Sequence, residues 1–280
     1  MVRRDPRQLG QARTRWTLES VRAACPWLRL STTGGMSRLL RRLGIHLKAA
    51  RDYVHSPDPQ YEAKLADVQA AIARAKADPQ RYVVVFMDEV TYERQPSVAC
   101  TYEAAGSVQP LARRSHRSNA QRRVLGALNA LTGQVTYIQR AHADISALRA
   151  FYKTLRAAYP QAETIYVVQD NWPMHFHPDV LTALQAQSWP YAVPKPPHWR
   201  AEPTRPLPQL TLPIRIVQLP TYASWCNPIE KLWRKLRQEV LHLHRWADDW
   251  PGLQDLVSAF LDAFVHGSEP LRRYTGLLRY

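Results

Sequence analysis

The chain has 280 residues, 45% of them hydrophobic, and a formal net charge of +15 that points to a polyanionic partner, by default nucleic acid. No apolar run approaches the ~20 residues of a membrane span, and the start Met1-Val2-Arg3-Arg4-Asp5-Pro6 carries no apolar leader, so neither a membrane protein nor a secreted one is expected. Three scattered cysteines, Cys25, Cys100 and Cys226, form no pair spacing, which argues against a disulfide framework or a cysteine zinc site and fits a reducing cytoplasm.

Residues 1–55 hold twelve Lys and Arg against three acids, a denser excess than the rest. Thr17 can cap a short helix through about Ala24, which Pro26 ends. A second helix is expected from about Met36 to Leu43, with Met36, Leu39, Leu40 and Leu43 on one apolar face and Arg38, Arg41 and Arg42 on the other. Gly44 closes it. Two helices around a glycine-containing turn suit a helix-turn-helix module that lays cations along DNA. An ordinary amphipathic helix with a charged outer face explains the local pattern equally well, and the overall charge tips the reading towards DNA.

Ser56-Pro57-Asp58-Pro59 reads as a linker, and Glu62–Ala77 as a connecting helix that Asp78-Pro79 stops, so residues 56–79 separate the basic module from a domain over 80–280. Tyr82–Met87 is a continuous apolar run, a buried central strand tipped by Asp88-Glu89. Strands are expected at Val98–Ala104, Arg123–Leu131 and Val135–Gln139. The basic stretch Arg113, Arg114, Arg117, Arg122 and Arg123 reads as a DNA-facing loop, with a solvated hairpin as the ordinary alternative. A helix over Asp144–Tyr159 follows, then the strand Ile165–Gln169, which ends on the acid Asp170 and is broken by Asn171 and Pro173. Catalytic groups gather where a parallel strand meets a loop, though an Asp followed by Asn is also common turn chemistry.

Next come a helix near Asp179–Gln187, a strand at Ile214–Leu219, and helices near Pro228–Leu243 and Leu253–Val265. Between them, Pro190–Pro213 contains eight prolines and cannot be regular throughout. With Lys195, His198, Trp199, Arg200 and Arg205 interleaved, it is either an extended arm that meets DNA or a plain surface insertion. Asn227 is a good N-cap with Pro228 as the first helical residue, and locally Glu230 reads as the N3 member of a capping box. Arg234, Lys235 and Arg237 lie on the outer side of that helix. The pairs His175/His177 and His242/His244 lack partners at zinc-site spacing. Several antiparallel strands followed by alternating helix and strand predict an α/β fold, a mixed sheet flanked by helices.

Three blocks, Asp88-Glu89, Asp170-Asn171-Trp172-Pro173-Met174-His175 and Asn227-Pro228-Ile229-Glu230-Lys231-Leu232-Trp233, resemble those of DDE transposases of the IS630/Tc1-mariner superfamily, as does Leu219-Pro220-Thr221-Tyr222. The likeness runs from about Arg81 to Leu243. It implies an RNase H-like five-stranded mixed sheet, with the first acid on the first strand, the second after the fourth strand and the third on a helix, and a small helix-turn-helix or winged-helix module before it. It implies a metal-dependent DNA endonuclease and strand transferase acting on element ends, with double-stranded DNA as partner, a homodimer in the DNA complex, and work in the bacterial cytoplasm at the nucleoid. Asp88, Asp170 and Glu230 would be the catalytic ligands of two Mg²⁺ or Mn²⁺ ions, Asp88 bridging them, because hard oxygen ligands suit these cations and paired cations can clamp the attacking and leaving oxygens. Asn171 and His175 are candidates for orienting the ligands, with a structural histidine as the alternative for His175. Two departures stand out: the Asp170–Glu230 gap is long, filled by the proline-rich segment, and only one of the family's two N-terminal modules is expected. The competing readings are a transposase-derived protein that only binds DNA, and an RNA–DNA hybrid nuclease, which the basic module and the last block disfavour.

Overall fold

The computed structural model describes residues 3–48, 55–193, 195–204 and 210–279. The chain divides into two compact units, within residues 1–54 and 55–280. In the first, Thr17 and Ser20 form a reciprocal capping box that starts α1 (Leu18–Ala24). The Thr32 hydroxyl accepts the Gly35 amide at 3.1 Å and starts α2 (Thr33–Arg42). That cap sets the start of α2 three residues before Met36, with Gly34 and Gly35 inside the helix. Val21, Cys25 and Met36 are buried between the two helices, while Leu43 falls past the helix end and stays 64% exposed. Arg38, Arg41 and Arg42 are all exposed.

In the second unit five strands form one sheet in the order β3-β2-β1-β4-β5. They are β1 (Tyr82–Glu93), β2 (Gln121–Asn129), β3 (Val135–Arg140), β4 (Thr164–Gln169) and β5 (Ile214–Gln218). β1–β2 and β2–β3 are antiparallel, and β1–β4 and β4–β5 parallel. This is the RNase H-like arrangement expected above. Side chains alternate across the central strand. Val83, Val85 and Met87 pack with α4 (Ile145–Ala158) and α5 (Pro178–Leu181) on one face. Val84, Phe86, Val90 and Tyr92 pack on the other face with α3 (Tyr61–Ala77), α6 (Ile229–Leu236), α7 (Trp250–Asp262) and α8 (Glu269–Thr275). Among the described residues no helix is long and apolar enough to cross a membrane.

Several expectations need correction. Residues 98–104 are not a strand. They are irregular, with Val98 77% and Tyr102 fully exposed. A strand needs a neighbour, and among the described residues this segment pairs with no strand of the sheet. β1 runs on past Asp88-Glu89 to Glu93 because its pairing with β2 continues to Glu93↔Gln121. β2 therefore begins at Gln121, so Arg122 and Arg123 lie in a strand and not in the loop. α5 is only four residues long. Beyond it the Gln187 side chain takes the backbone place beside the edge strand β5, accepting the Ile216 amide at 3.0 Å. α6 ends at Leu236 and passes into a π turn, Arg237–Leu241, so Pro228–Leu243 is not one regular helix. α8 was not anticipated, although Ser268 caps it and Gly276 ends it at φ 90°.

The described part of the proline-rich segment is irregular but anchored. Thr204 donates from its amide and its hydroxyl to the fully buried Asp179, both at 2.6 Å, and Trp199 meets the His177 ring edge-on at 4.6 Å. Arg205 lies outside the described residues.

Candidate active site

Asp88 and Glu89 are neighbours on a strand, so their side chains point to opposite faces. Asp88 takes the α6 face. There the Trp233 indole N–H donates to Asp88 Oδ2 at 3.0 Å, and Trp233 is 1% exposed. The residue paired with Asp88 on β2 is Gly126, and a Cβ there would lie 2.6 Å from the Trp233 ring. Glu89 takes the α4 face, where His175 Nε2 lies 3.6 Å from its Oε1 and 3.3 Å from Asp170 Oδ1.

The β1–β4 pairing ends at Phe86↔Val168, one residue before Gln169 closes β4. Past that point no described strand pairs with β1 on this side, and Asp170 leaves β4 into the gap. Asp170 Oδ1 accepts the Trp172 amide at 3.0 Å, the turn chemistry anticipated for an Asp before Asn. The same carboxylate still faces outward, 57% exposed. Among the described residues Asn171 bonds to no carboxylate. Its amide donates to the Leu219 carbonyl at 2.7 Å and accepts from Gln218 at 3.1 Å, tying the ends of β4 and β5 together. His175 is fully buried behind Asp170, with the Trp172 ring edge-on at 5.2 Å.

The loop from Leu219 to Asn227 forms the cleft's far wall. It is held from below by Ser56, whose hydroxyl donates to the Thr221 carbonyl at 2.5 Å, and by Asp58, which accepts the Thr221 amide at 2.8 Å. Asp58 is also ion-paired with Lys64 at 2.8 Å, with both side chains buried. Tyr222 stands at the rim in left-handed backbone (φ 53°), 76% exposed. At the end of the loop the Asn227 amide donates to the Met87 carbonyl at 3.0 Å. No side chain caps α6, so the capping box expected for Asn227 and Glu230 is absent: the cap residue is instead used to tie the helix to β1. Glu230 is left free and exposed on the first turn.

Asp88, Asp170 and Glu230 thus line one cleft of about 350 Å³, with Asn171, Trp172 and Tyr222. Burial, with the Glu230, Glu89 and Asp170 carboxylates nearby, pushes Asp88 up to about 8. Partial burial also raises Glu230, against the opposing pull of Arg237 and Arg234. Burial acts on Asp170 in the same sense, but His175 and the Trp172 amide outweigh it and hold that carboxyl below its usual range. Carboxylates crowded into one cleft are the donor set of a divalent cation. Among the described residues no three His, Cys, Asp or Glu side chains enclose an ion by themselves. An open set suits Mg²⁺, which takes one or two carboxylates and fills its remaining positions with water and substrate phosphate. His177 Nδ1 accepts the Asp179 amide, His242 Nδ1 meets the Ser97 hydroxyl and His244 Nδ1 accepts the Trp246 amide.

Of the expected DNA-binding residues, Arg234 on α6 and Arg237 at the start of the π turn are exposed, as are Arg113, Arg114 and Arg117 on the β1–β2 connection. Arg122 is half-buried and donates to Gln254 at 2.7 Å, and Arg123 lies across from Arg140 on β3. The roles of Trp233 and Gly126 were not read from the sequence. A glycine inside a strand pattern is a signal of close approach by another group.

A family model described as "DDE superfamily endonuclease" matches residues 83–250. The Insertion element IS630 uncharacterized 39 kDa protein of Shigella sonnei is 23% identical over 252 residues, covering 89% of this chain. The chain spans 65% of that relative's length. Among solved structures, the Mos1 transposase paired-end complex with left transposon end superposes with a TM-score of 0.60 at 14% identity, covering 99% of this chain and 76% of that one. The Mos1 mariner paired end complex with Mn gives 0.59 at 15%, covering 98% and 74%, and the complex with Mg gives 0.59 at 13%, covering 96% and 79%.

Proposed function

Because this chain belongs to the DDE superfamily endonuclease family, in the IS630/Tc1-mariner group, we propose that it cuts DNA at the ends of a mobile element and joins them to target DNA. One observation carries the reading: three carboxylates from three separate elements, β1, the end of β4 and α6, open onto a single cleft. Asp88, Asp170 and Glu230 would hold two Mg²⁺ or Mn²⁺ ions. Such ions, when bound, polarise the phosphodiester and activate the attacking oxygen. The protein's own part is placement. The parallel pair β1 and β4 sets Asp88 against Asp170, and the Asn227–Met87 bond fixes where α6 presents Glu230. His175 packs behind Asp170 and steadies it. Arg234 and Arg237 offer cations for flanking phosphates. Partners in this reading are double-stranded DNA and a second copy of the chain, in the bacterial cytoplasm at the nucleoid. The exposed arginines of α2, and those at 113, 114 and 117, would supply phosphate contacts, which position the protein without reading sequence.

The test is cleavage of labelled terminal-repeat DNA with Mg²⁺, Mn²⁺ or EDTA. Wild type is expected to cut only with metal. Asp88→Asn, Asp170→Asn and Glu230→Gln should each lose cleavage and keep the fold and DNA binding, since each removes a ligand charge and keeps shape. Strong cleavage by the Glu230→Gln protein, or cutting in EDTA, would overturn the assignment.

A further inference from the structure

Trp233 lies three residues past Glu230, on the helix that carries the third acid. It is buried in the apolar cluster on the α6 face of the sheet, where an indole needs only shape. Its N–H is nevertheless spent on Asp88 Oδ2 at 3.0 Å. The space for its ring exists because position 126, the β2 partner of Asp88, has no side chain: any Cβ there would stand 2.6 Å from the Trp233 ring. A buried indole N–H is normally paired, and here the only carboxylate on this stretch of β1's α6 face takes it.

We propose that Trp233 and Gly126 together position Asp88 for its cation. The indole holds one carboxylate oxygen, which fixes the side chain's rotation and leaves the other oxygen for the cleft. The same bond, with the Asn227–Met87 bond six residues earlier, sets α6 against β1 at two points and so sets the spacing of Glu230 from Asp88. Trp233 is therefore a positioning residue. Gly126 is its necessary counterpart, since alanine at that position would push the ring away from Asp88. This inference rests on the reading of Asp88 as a metal ligand.

The experiment uses the full chain and Mn²⁺ as probe, with affinity measured by isothermal titration calorimetry and duplex DNA affinity measured separately in EDTA. Trp233→Phe keeps an aromatic filler and removes the donor. The bicyclic 3-benzothienylalanine placed at position 233 keeps the indole's shape with no N–H, so it separates the hydrogen bond from packing. Both are expected to weaken Mn²⁺ binding about 10- to 100-fold, the usual effect of losing a partner that orients a ligand. DNA affinity in EDTA should be unchanged, and cleavage should recover as Mn²⁺ is raised. Gly126→Ala should shift Mn²⁺ affinity in the same direction. Wild-type Mn²⁺ affinity in the benzothienyl protein overturns the proposal, even if its melting temperature falls. If wild type binds Mn²⁺ and Asp88→Asn abolishes that binding, the catalytic reading stands regardless of the outcome at Trp233. If wild type binds no Mn²⁺, the catalytic reading fails and this inference fails with it.

Discussion

At the scale of single residues, the cleft sets two neighbouring carboxylates in opposite environments. Asp88, crowded and buried, is raised to about 8, while Asp170 is held low by His175 and the Trp172 amide. Pairs of acids driven apart in this way are a mark of functional sites. The consequence for stability has a definite sign. Asp88 binds its proton more tightly folded than unfolded, where the ordinary value is 3.8. Its contribution is therefore full below about pH 4 and is lost as pH rises through about 8. The raised Glu89 and Glu230 act in the same direction. Metal-free protein should accordingly melt at a lower temperature at about pH 8 than at about pH 6, and Mg²⁺ should stabilise it more at the higher pH, where no proton must be displaced. Thermal melts in EDTA and in Mg²⁺ across this range measure both. A larger Mg²⁺ effect at the acid end would contradict the account.

At the scale of elements, the site depends on β1 outrunning β4 and on the loop from Leu219 to Asn227 being held in place. The hold comes from the start of the second unit. Burial raises Asp58, but Lys64 and the Thr221 and Gln60 amides outweigh it and bring it down to about 2. Asp58→Asn keeps an acceptor for the Thr221 amide but leaves the buried Lys64 ammonium unpaired. Breaking a buried pair from one side typically costs about 3 kcal/mol or more, and urea unfolding should show a loss of that order. The pH sign is opposite to that of Asp88. This contribution is present above the unfolded value, about 4, and is lost as pH falls through about 2, so the gap between wild type and variant should close on acidification. A variant as stable as wild type at neutral pH would mean that the pair does not hold the loop.

At the scale of the whole molecule, charge is unevenly spread: residues 1–55 carry nine of the fifteen net positive charges. DNA affinity should fall steeply with salt as phosphate contacts release counterions. Replacing Arg38, Arg41 and Arg42 together with serine should flatten the log–log slope by about 2 to 3, near 0.9 per lost contact. All three are exposed, so the change should leave the melting temperature nearly unmoved. Fluorescence titrations at several salt concentrations give the slope, and an unchanged slope would remove the α2 face from the DNA interface.

The sequence by itself determined the elements whose signals are local. The apolar run Tyr82–Met87 is a strand because alternate residues meet two cores, and Thr17 starts a helix because its hydroxyl reaches an amide three residues on. The motif blocks also picked out three acids, and those acids share one cleft. Only the tertiary structure decided what depends on distant partners. Val98–Ala104 has strand-forming residues but, among the described residues, pairs with no strand of the sheet. Asn227 is a good helix cap by composition, yet the Met87 carbonyl, 140 residues away in sequence, takes its amide. Alternation requires Asp88 and Glu89 to face opposite ways, but only the packing of α6 on one face makes Asp88 the one beside Glu230. Trp233 reads as core in the sequence because burial is a property of its helix face. The use of its N–H depends on a strand and a glycine that meet it only after folding, since hydrogen bonds are chosen by proximity in space and helix and strand periods record only neighbours along the chain.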